Sequence, residues 1–202
     1  EERYLWKRSW LYALHVDELP RPGSYRLWRK TGSPIILVRD KSGEIRAFYN
    51  TCRHRGAPLV EKDSGETKGF FCRYHGWSYD LGGRLLAVRE KRDFPNMDTS
   101  CFGLNTVRCE RLGNLVFINE DANAPPLLEA LAPIPAHLES LRFDSIRHIA
   151  SSSFEIACNV KILLDAFLET YHLKSIHPQT VDRFLDSRGT HAVLWRNGNS
   201  MM

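Results

Sequence analysis

The sequence predicts an α+β chain: an antiparallel β domain of short strands, followed by the opening of a second domain that carries a helix. Three observations predict it. Residues 24–118 hold short β-branched and aromatic runs broken by Gly, Asn, Asp and Ser turns. At Asn119-Glu120-Asp121-Ala122-Asn123-Ala124-Pro125-Pro126 the composition becomes that of a loop. From Asn159 apolar residues return with helical rather than alternating spacing. The expected organisation is a β domain with its N-terminal flank over 1–118, a linker over 119–126, and an incomplete second domain over 127–202.

The expected strands run, in order, over 24–30, 34–39, 45–49, 68–72, 77–80, 84–88, 105–110 and 115–119. Asp40-Lys41-Ser42-Gly43 reads as one hairpin loop and Leu81-Gly82-Gly83-Arg84 as another. Such closely spaced strands suit a small antiparallel domain. Residues 127–141 have helical spacing interrupted by Pro133 and Pro135, and 146–158 reads as extended. A helix should begin after Asn159, its N-cap, and run to about Tyr171.

Composition excludes several classes. The chain has 202 residues, and its hydrophobic fraction of 43% against 26% charged is that of a folded soluble domain. No run approaches the roughly 18 apolar residues of a membrane helix, and the charged, aromatic start has no signal-peptide core. A net charge of +4 is too small and dispersed to argue for nucleic acid. Five Cys without a regular framework argue against a disulfide-stapled secreted domain, so a reducing cytoplasm is expected. There, grouped Cys and His suggest metal. Cys101, Cys109 and Cys158 have no ligand spacing and are expected to be buried apolar thiols.

Two motifs carry metal chemistry. Cys52-Arg53-His54 and Cys72-Arg73-Tyr74-His75 each supply one thiolate and one imidazole, each in a loop after a strand. A [2Fe–2S] cluster with two Cys on one iron and two His on the other needs this set. Neutral imidazoles in place of thiolates remove negative charge and ease reduction. Gly56 and Gly76 follow the two motifs and allow close backbone approach to the sulfides. A Cys2His2 zinc site accepts the same four ligands, although common zinc fingers group both Cys in one half and both His in the other.

A second constellation follows Asn159. Val160, Ile162, Leu163, Leu164, Ala166, Phe167, Leu168 and Tyr171 cover nearly the whole circumference of the expected helix, which implies burial. Asp165 and Glu169 lie on one face of it, with His172 three residues further on. Buried carboxylates are costly without a cation. His172 and His177 would stand about 140° apart on a straight helix. The helix must therefore end or bulge between them, and Pro178 pushes His177 out of helical conformation. Two His and one carboxylate make the facial triad of non-haem Fe(II) oxygenases.

The first motif pair resembles the Rieske iron–sulfur proteins. Ala57 and Tyr74 stand where respiratory members carry an extra disulfide-forming Cys pair. His54-Arg55-Gly56-Ala57 and His75-Gly76-Trp77-Ser78-Tyr79 resemble the oxygenase and ferredoxin branch instead. With Asp165, Glu169, His172 and His177, the chain from Trp10 to about His177 resembles the large (α) subunit of Rieske non-haem iron oxygenases, the aromatic-ring-hydroxylating family.

The resemblance implies a Rieske-type β domain followed by the beginning of a helix-grip (SRPBCC-like) catalytic domain. It implies a [2Fe–2S] cluster on Cys52, His54, Cys72 and His75, and a mononuclear Fe(II) on His172 and His177. Glu169, where the family usually has Asp, would bridge a cluster-ligating His to an iron-ligating His across a subunit boundary, with Asp165 a supporting carboxylate. Some members acting on quaternary ammonium compounds resemble this chain in having the Glu, so the substrate need not be aromatic. The third iron ligand of the family, a late Asp, has no counterpart before Met202, so the chain reads as an N-terminal fragment; Glu169, Asp182 and Asp186 are the substitutes at hand. The implied partners are an NAD(P)H-dependent flavin reductase, with or without a ferredoxin, a homotrimer or α3β3 assembly, O2 and a small organic substrate. Arg53, Arg55 and Arg73 are candidates for docking an acidic electron donor. An electron-carrying Rieske ferredoxin with an added domain is the rival reading.

Overall fold

The computed structural model describes residues 1, 3–185, 189–195 and 198–201. They form two compact units: residues 1–130 with 137–148, and residues 131–136 with 149–202. No helix among them is long and apolar enough to cross a membrane.

The first unit is built on antiparallel sheets. Its strands are β1 (Leu11–His15), β2 (Ser24–Trp28), β3 (Ile35–Arg39), β4 (Ile45–Tyr49), β5 (Ser64–Glu66), β6 (Phe70–Phe71), β7 (Ser78–Tyr79), β8 (Leu85–Ala87), β9 (Thr106–Leu112) and β10 (Leu115–Asn119). Seven of them form one sheet in the order β1-β10-β9-β4-β3-β2-β5, and β6-β7-β8 form a second. The eight strands read from sequence are all present. Sequence missed β1 and β5. The burial of β1 is confined to one end, and β5, Ser-Gly-Glu, has no apolar alternation. Both expected hairpin loops form: Gly43 N–H donates to the Asp40 carbonyl at 3.1 Å, and Gly83 N–H to that of Asp80 at 3.0 Å.

The large sheet is buried on both faces. Strand β3 sends Ile36 and Val38 into one core and Ile35 and Leu37 into the other. Its unbroken apolar run, Ile35-Ile36-Leu37-Val38, is therefore what its place demands. The first core also takes Phe48, Phe70, Trp77 and Tyr79 with Cys52 and Cys72, so the two Cys–His motifs rest on it. The second takes Leu14, Leu19, Trp28, Val116 and Ile118.

Beyond β10 the elements are short. Helices α1 (Leu127–Ala130) and α2 (Ile134–Leu138) are divided around Pro133, as expected, whereas Pro135 lies in the first turn of α2, where a missing N–H costs no helical bond, and does not interrupt it. The segment 146–158 contains no strand. In the second unit, α3 (Val160–Phe167) starts at the expected cap, where the Asn159 side chain accepts the Lys161 N–H at 2.9 Å. It ends four residues earlier than expected, and α4 (Leu173–Ile176) forms a separate single turn. Strands β11 (Val193–Leu194) and β12 (Ser200–Met201) pair as a hairpin.

Two expectations are corrected here. Helix α3 has no buried residue: Ile162, Leu164 and Phe167 are exposed, and so is Asp165. Only Leu163 is partly buried and no residue of the helix is fully so, and the argument from buried carboxylates does not hold for it. Cys101 and Cys158 are exposed, and Cys109 is partly buried. Cys101 sits in a single 3-10 turn with its thiol near Asp98, and Cys158 ends the strandless segment.

Candidate metal centre

The two Cys–His loops have the same backbone. In the first, Gly56 N–H donates to the Cys52 carbonyl at 2.9 Å, and Cys52 N–H to that of Ala57 at 2.8 Å. In the second, Gly76 N–H donates to Cys72 at 2.9 Å, and Cys72 N–H to Trp77 at 2.8 Å. Each loop thus closes on its own Cys four and five residues on. Each needs a left-handed residue at the fourth position, with Gly56 at φ +73° and Gly76 at φ +74°. The loops differ in placing His two residues after Cys in one and three in the other.

These loops bring the four residues together in pairs. Cys52 and Cys72 are buried, with no disulfide, and close enough for Cys72 to raise the Cys52 thiol pKa. The His54 and His75 rings lie 4.6 Å apart between centroids. The Nδ1 atoms of both are buried without a hydrogen-bond partner. A buried polar nitrogen left unpaired costs about 1–3 kcal/mol, and here two occur on facing rings. Burial, then His75 and the Arg55 charge, hold His54 below the usual histidine range, in the neutral form a metal ligand needs. Arg53 Nε is a third unpaired buried nitrogen, and nothing in the structure explains it.

The thiolate side has its own support. Tyr79 hydroxyl accepts the Arg53 N–H at 3.1 Å and lies 3.3 Å from Cys52 Sγ; toward a thiolate it would be the donor. Burial, followed by the Cys52 contact, pushes the Tyr79 phenol well above its ordinary range, and it stays a donor. Burial also pushes the Cys52 thiol up; the Tyr79 hydroxyl opposes this, and neighbouring Cys72 adds to it. Two adjacent thiols resist joint ionisation in bare protein, whereas a bound metal takes both as thiolates. The residues fit a [2Fe–2S] group: two soft sulfurs on one side and two unpaired neutral imidazole nitrogens on the other. Among the described residues no three His, Cys, Asp or Glu converge on a single ion. A two-iron cluster asks each iron for only two protein ligands.

Sequence reading singled out the four ligand candidates but gave no part to the aromatic side chains around them. Trp77 stacks on His54, 5.0 Å between centroids and 9° from parallel, with Phe94 and Phe102 set edge-on against it. Trp77 and Tyr79 are both buried and flank Ser78, so the two-residue period of a strand alone would have put both on the inner face. Arg55 and Arg73 are exposed, and Arg53 is partly buried.

In the second unit, His172 is the N-cap of α4 and His177 its C-cap. Their rings lie 5.5 Å apart. The break expected before Pro178 is larger than foreseen, because the chain leaves helical conformation after Phe167 as well. Glu169 and His172 are consequently not on the α3 face. They meet through a turn: Glu169 accepts the His172 backbone N–H at 3.0 Å and contacts ring Nδ1. The His172 bond holds the Glu169 carboxyl below the usual carboxylate range. Asp165 makes no such contact. Asp182 reaches His177 through its backbone, donating its N–H to the His177 carbonyl. Asp186 lies outside the described residues.

Two comparisons by family follow from this geometry. Residues 9–103 match the Rieske [2Fe-2S] domain, so the first unit is a Rieske-type β fold. Residues 143–202 match the ring hydroxylating alpha subunit (catalytic domain), and the chain belongs to the family of Rieske oxygenase large subunits. It is 42% identical over 121 residues to biphenyl 2,3-dioxygenase subunit alpha of Rhodococcus jostii, covering 59% of this chain and 26% of that protein. It is 30% identical over 186 residues to the glycine betaine monooxygenase oxygenase subunit of Chromohalobacter salexigens, covering 92% of this chain and 42% of that protein. The crystal structure of the quaternary ammonium Rieske monooxygenase CntA with L-carnitine superposes with a TM-score of 0.80 at 29% identity, over 88% of this chain and 51% of that one. The chain thus spans less than half the length of either curated relative.

Proposed function

We propose that this chain is the N-terminal part of a terminal oxygenase, with a β domain over 1–118, a linker over 119–126 and the opening of the catalytic domain over 127–202. The observation that carries the reading is the pair of buried, unpartnered Nδ1 atoms on His54 and His75 beside Cys52 and Cys72. In this reading Cys52 and Cys72 hold one iron of the cluster, and His54 and His75 the other. His172 and His177 supply two ligands of a mononuclear Fe(II), and a carboxylate elsewhere in the full-length protein supplies the third. When bound, the cluster relays single electrons and the mononuclear iron activates O2.

The side chains have definable tasks. Tyr79 directs its proton at Cys52 and stabilises sulfur charge. Glu169 fixes the His172 ring through Nδ1, leaving Nε2 for the metal, as carboxylates behind metal-bound imidazoles do. The same carboxylate is the candidate bridge to a cluster-ligating His of a neighbouring subunit in a homotrimer or α3β3 assembly. Arg53, Arg55 and Arg73 surround the cluster loops and suit an acidic donor, an NAD(P)H-dependent flavin reductase or its ferredoxin. The cytoplasm is the compartment that reduced cysteines suit.

For the substrate we infer a small quaternary ammonium compound. The glycine betaine and CntA matches cover 92% and 88% of the chain and so run into the catalytic segment. The biphenyl match, though closer in identity, covers 59%. Aromatic hydroxylation or dihydroxylation is the second reading. Assay of the full-length protein with an NADH-driven reductase tests this: demethylation or hydroxylation of betaine-type substrates is expected, and turnover of biphenyl alone would overturn it. His172→Ala should abolish oxygenation and keep the cluster spectrum. Retained oxygenation would remove the mononuclear-iron assignment and favour the ferredoxin-like electron carrier.

A further inference from the structure

The chain crosses between its two units more than once. It leaves the β unit at residue 131, returns to it for 137–148, and leaves again at 149. The match to the catalytic domain begins at 143, so its first residues, 143–148, are built into the β unit. They contain neither helix nor strand, and their backbone polar groups need partners from elsewhere.

The tip of the β9–β10 hairpin supplies most of those partners. Asn114 N–H donates to the Phe143 carbonyl at 3.0 Å, and Asn114 Nδ2 to the carbonyls of Asp144 at 2.7 Å and Ile146 at 3.1 Å. Gly113 lets the segment lie against the tip: at φ +58°, a Cβ there would stand 2.5 Å from the Phe143 carbonyl carbon. The end of β1 supplies the rest. His15 is 3% exposed. Its Nδ1 accepts the Asp17 N–H at 3.1 Å, so Nε2 carries the proton and donates to the Ile146 carbonyl at 3.0 Å. Asp17 accepts the His148 N–H at 3.2 Å and meets the Arg147 guanidinium at 3.4 Å. Leu14 and Val16, which flank His15, belong to the second core, whereas the Cys–His motifs rest on the first.

We propose that 137–148 is a strap. Closed by His15, Asp17 and Asn114, it holds the opening of the catalytic segment on the β unit, so that 137–148 moves with the sheet and the chain is released only after His148. A segment pinned by a few side chains, with no ladder of its own, opens at a lower free energy than the sheet beneath it. Neither metal site enters the proposal.

Limited proteolysis of the full-length holoprotein by trypsin tests it, because Arg142 and Arg147 lie in the strap. Cleavage of a pinned segment requires local opening, and its rate follows the open population. Asn114→Asp keeps the size of the side chain and its fitness for a turn but removes the donor. His15→Leu removes the buried donor and acceptor together. Each variant should speed cleavage after Arg147 about tenfold, as the loss of one or two hydrogen bonds would, and should speed exchange of the His148 amide. Cluster absorbance and amide protection in β3 should stay as in wild type. Should His15→Leu fail to fold, Asn114→Asp, at a half-buried hairpin tip, carries the test alone. Wild-type cleavage after Arg147 as fast as in the variants overturns the proposal. Faster exchange in β3 alongside the faster cleavage overturns it too, since strap and sheet would then open together.

Discussion

The two units carry their candidate metal ligands in opposite ways. In the first, Cys52 and Cys72 belong to a closed core, and two loops of one backbone design set them with His54 and His75. In the second, His172 and His177 flank one helical turn and are held by local contacts, chiefly Glu169 and the α4 backbone. The contrast teaches that four-ligand preorganisation comes from sheet packing, whereas an imidazole pair needs only a chain break of the right length. The first site should therefore fail when core or loop chemistry changes, and the second should tolerate much of its surroundings being altered.

The largest expected effect breaks the comparison outright. Cys72→Ala should remove visible absorbance and the reduced-state EPR signal entirely, whereas His177→Ala should leave both untouched. Loss of the cluster signal in the second variant would mean the two sites are not independent. Next in size is core truncation. Ile36 is fully buried, and Ile36→Ala should cost about 2–5 kcal/mol in denaturant unfolding. Ile162 is 64% exposed, and Ile162→Ala in the 202-residue chain should fall within about 0.5 kcal/mol. Equal costs would contradict the packing contrast.

A third effect is confined to the first unit and depends on pH. Burial opposes ionisation of Asp40, but the Ser42 hydroxyl, Arg46 and the Ser42 N–H outweigh it and pull the carboxyl down to about 2. A depressed pKa stabilises the fold above the ordinary carboxylate range of about 4 and is lost as pH falls through the folded value. Relative to Asp40→Asn, the native protein should lose about 2–3 kcal/mol more between neutral pH and pH about 2. Parallel pH curves for the two proteins would show that this carboxylate does not hold the hairpin.

The same contrast governs what the sequence disclosed. Strands β2 to β4 and β6 to β10 were legible because their side chains alternate between two real cores, and the Cys–His loops because ligand type and spacing are local. Residues that act through tertiary contact were not: Trp77 and Tyr79 acquire their roles from which imidazole or sulfur they meet. The buried helix was misread because an apolar circumference implies burial, and no residue of α3 is buried. The same error placed Asp165 and Glu169 on one helical face, although Leu168 already lies outside the helix as its C-cap.

The smallest effect sharpens the contrast from the side of the second unit. With no buried residue, α3 depends on its own backbone and its cap, since an eight-residue helix is marginal in water. The Asn159 side chain satisfies the Lys161 N–H, one of the four donors that no helical carbonyl reaches. Asn159→Ala should therefore destabilise the helix by about 1 kcal/mol. Because no residue of α3 is buried, that loss should appear as local opening, with faster amide exchange over 161–167 and unchanged protection in β3 and β4. A uniform rise in exchange across both units would mean that α3 unfolds together with the sheet, and the division of the chain into a packed unit and a locally held one would have to be withdrawn.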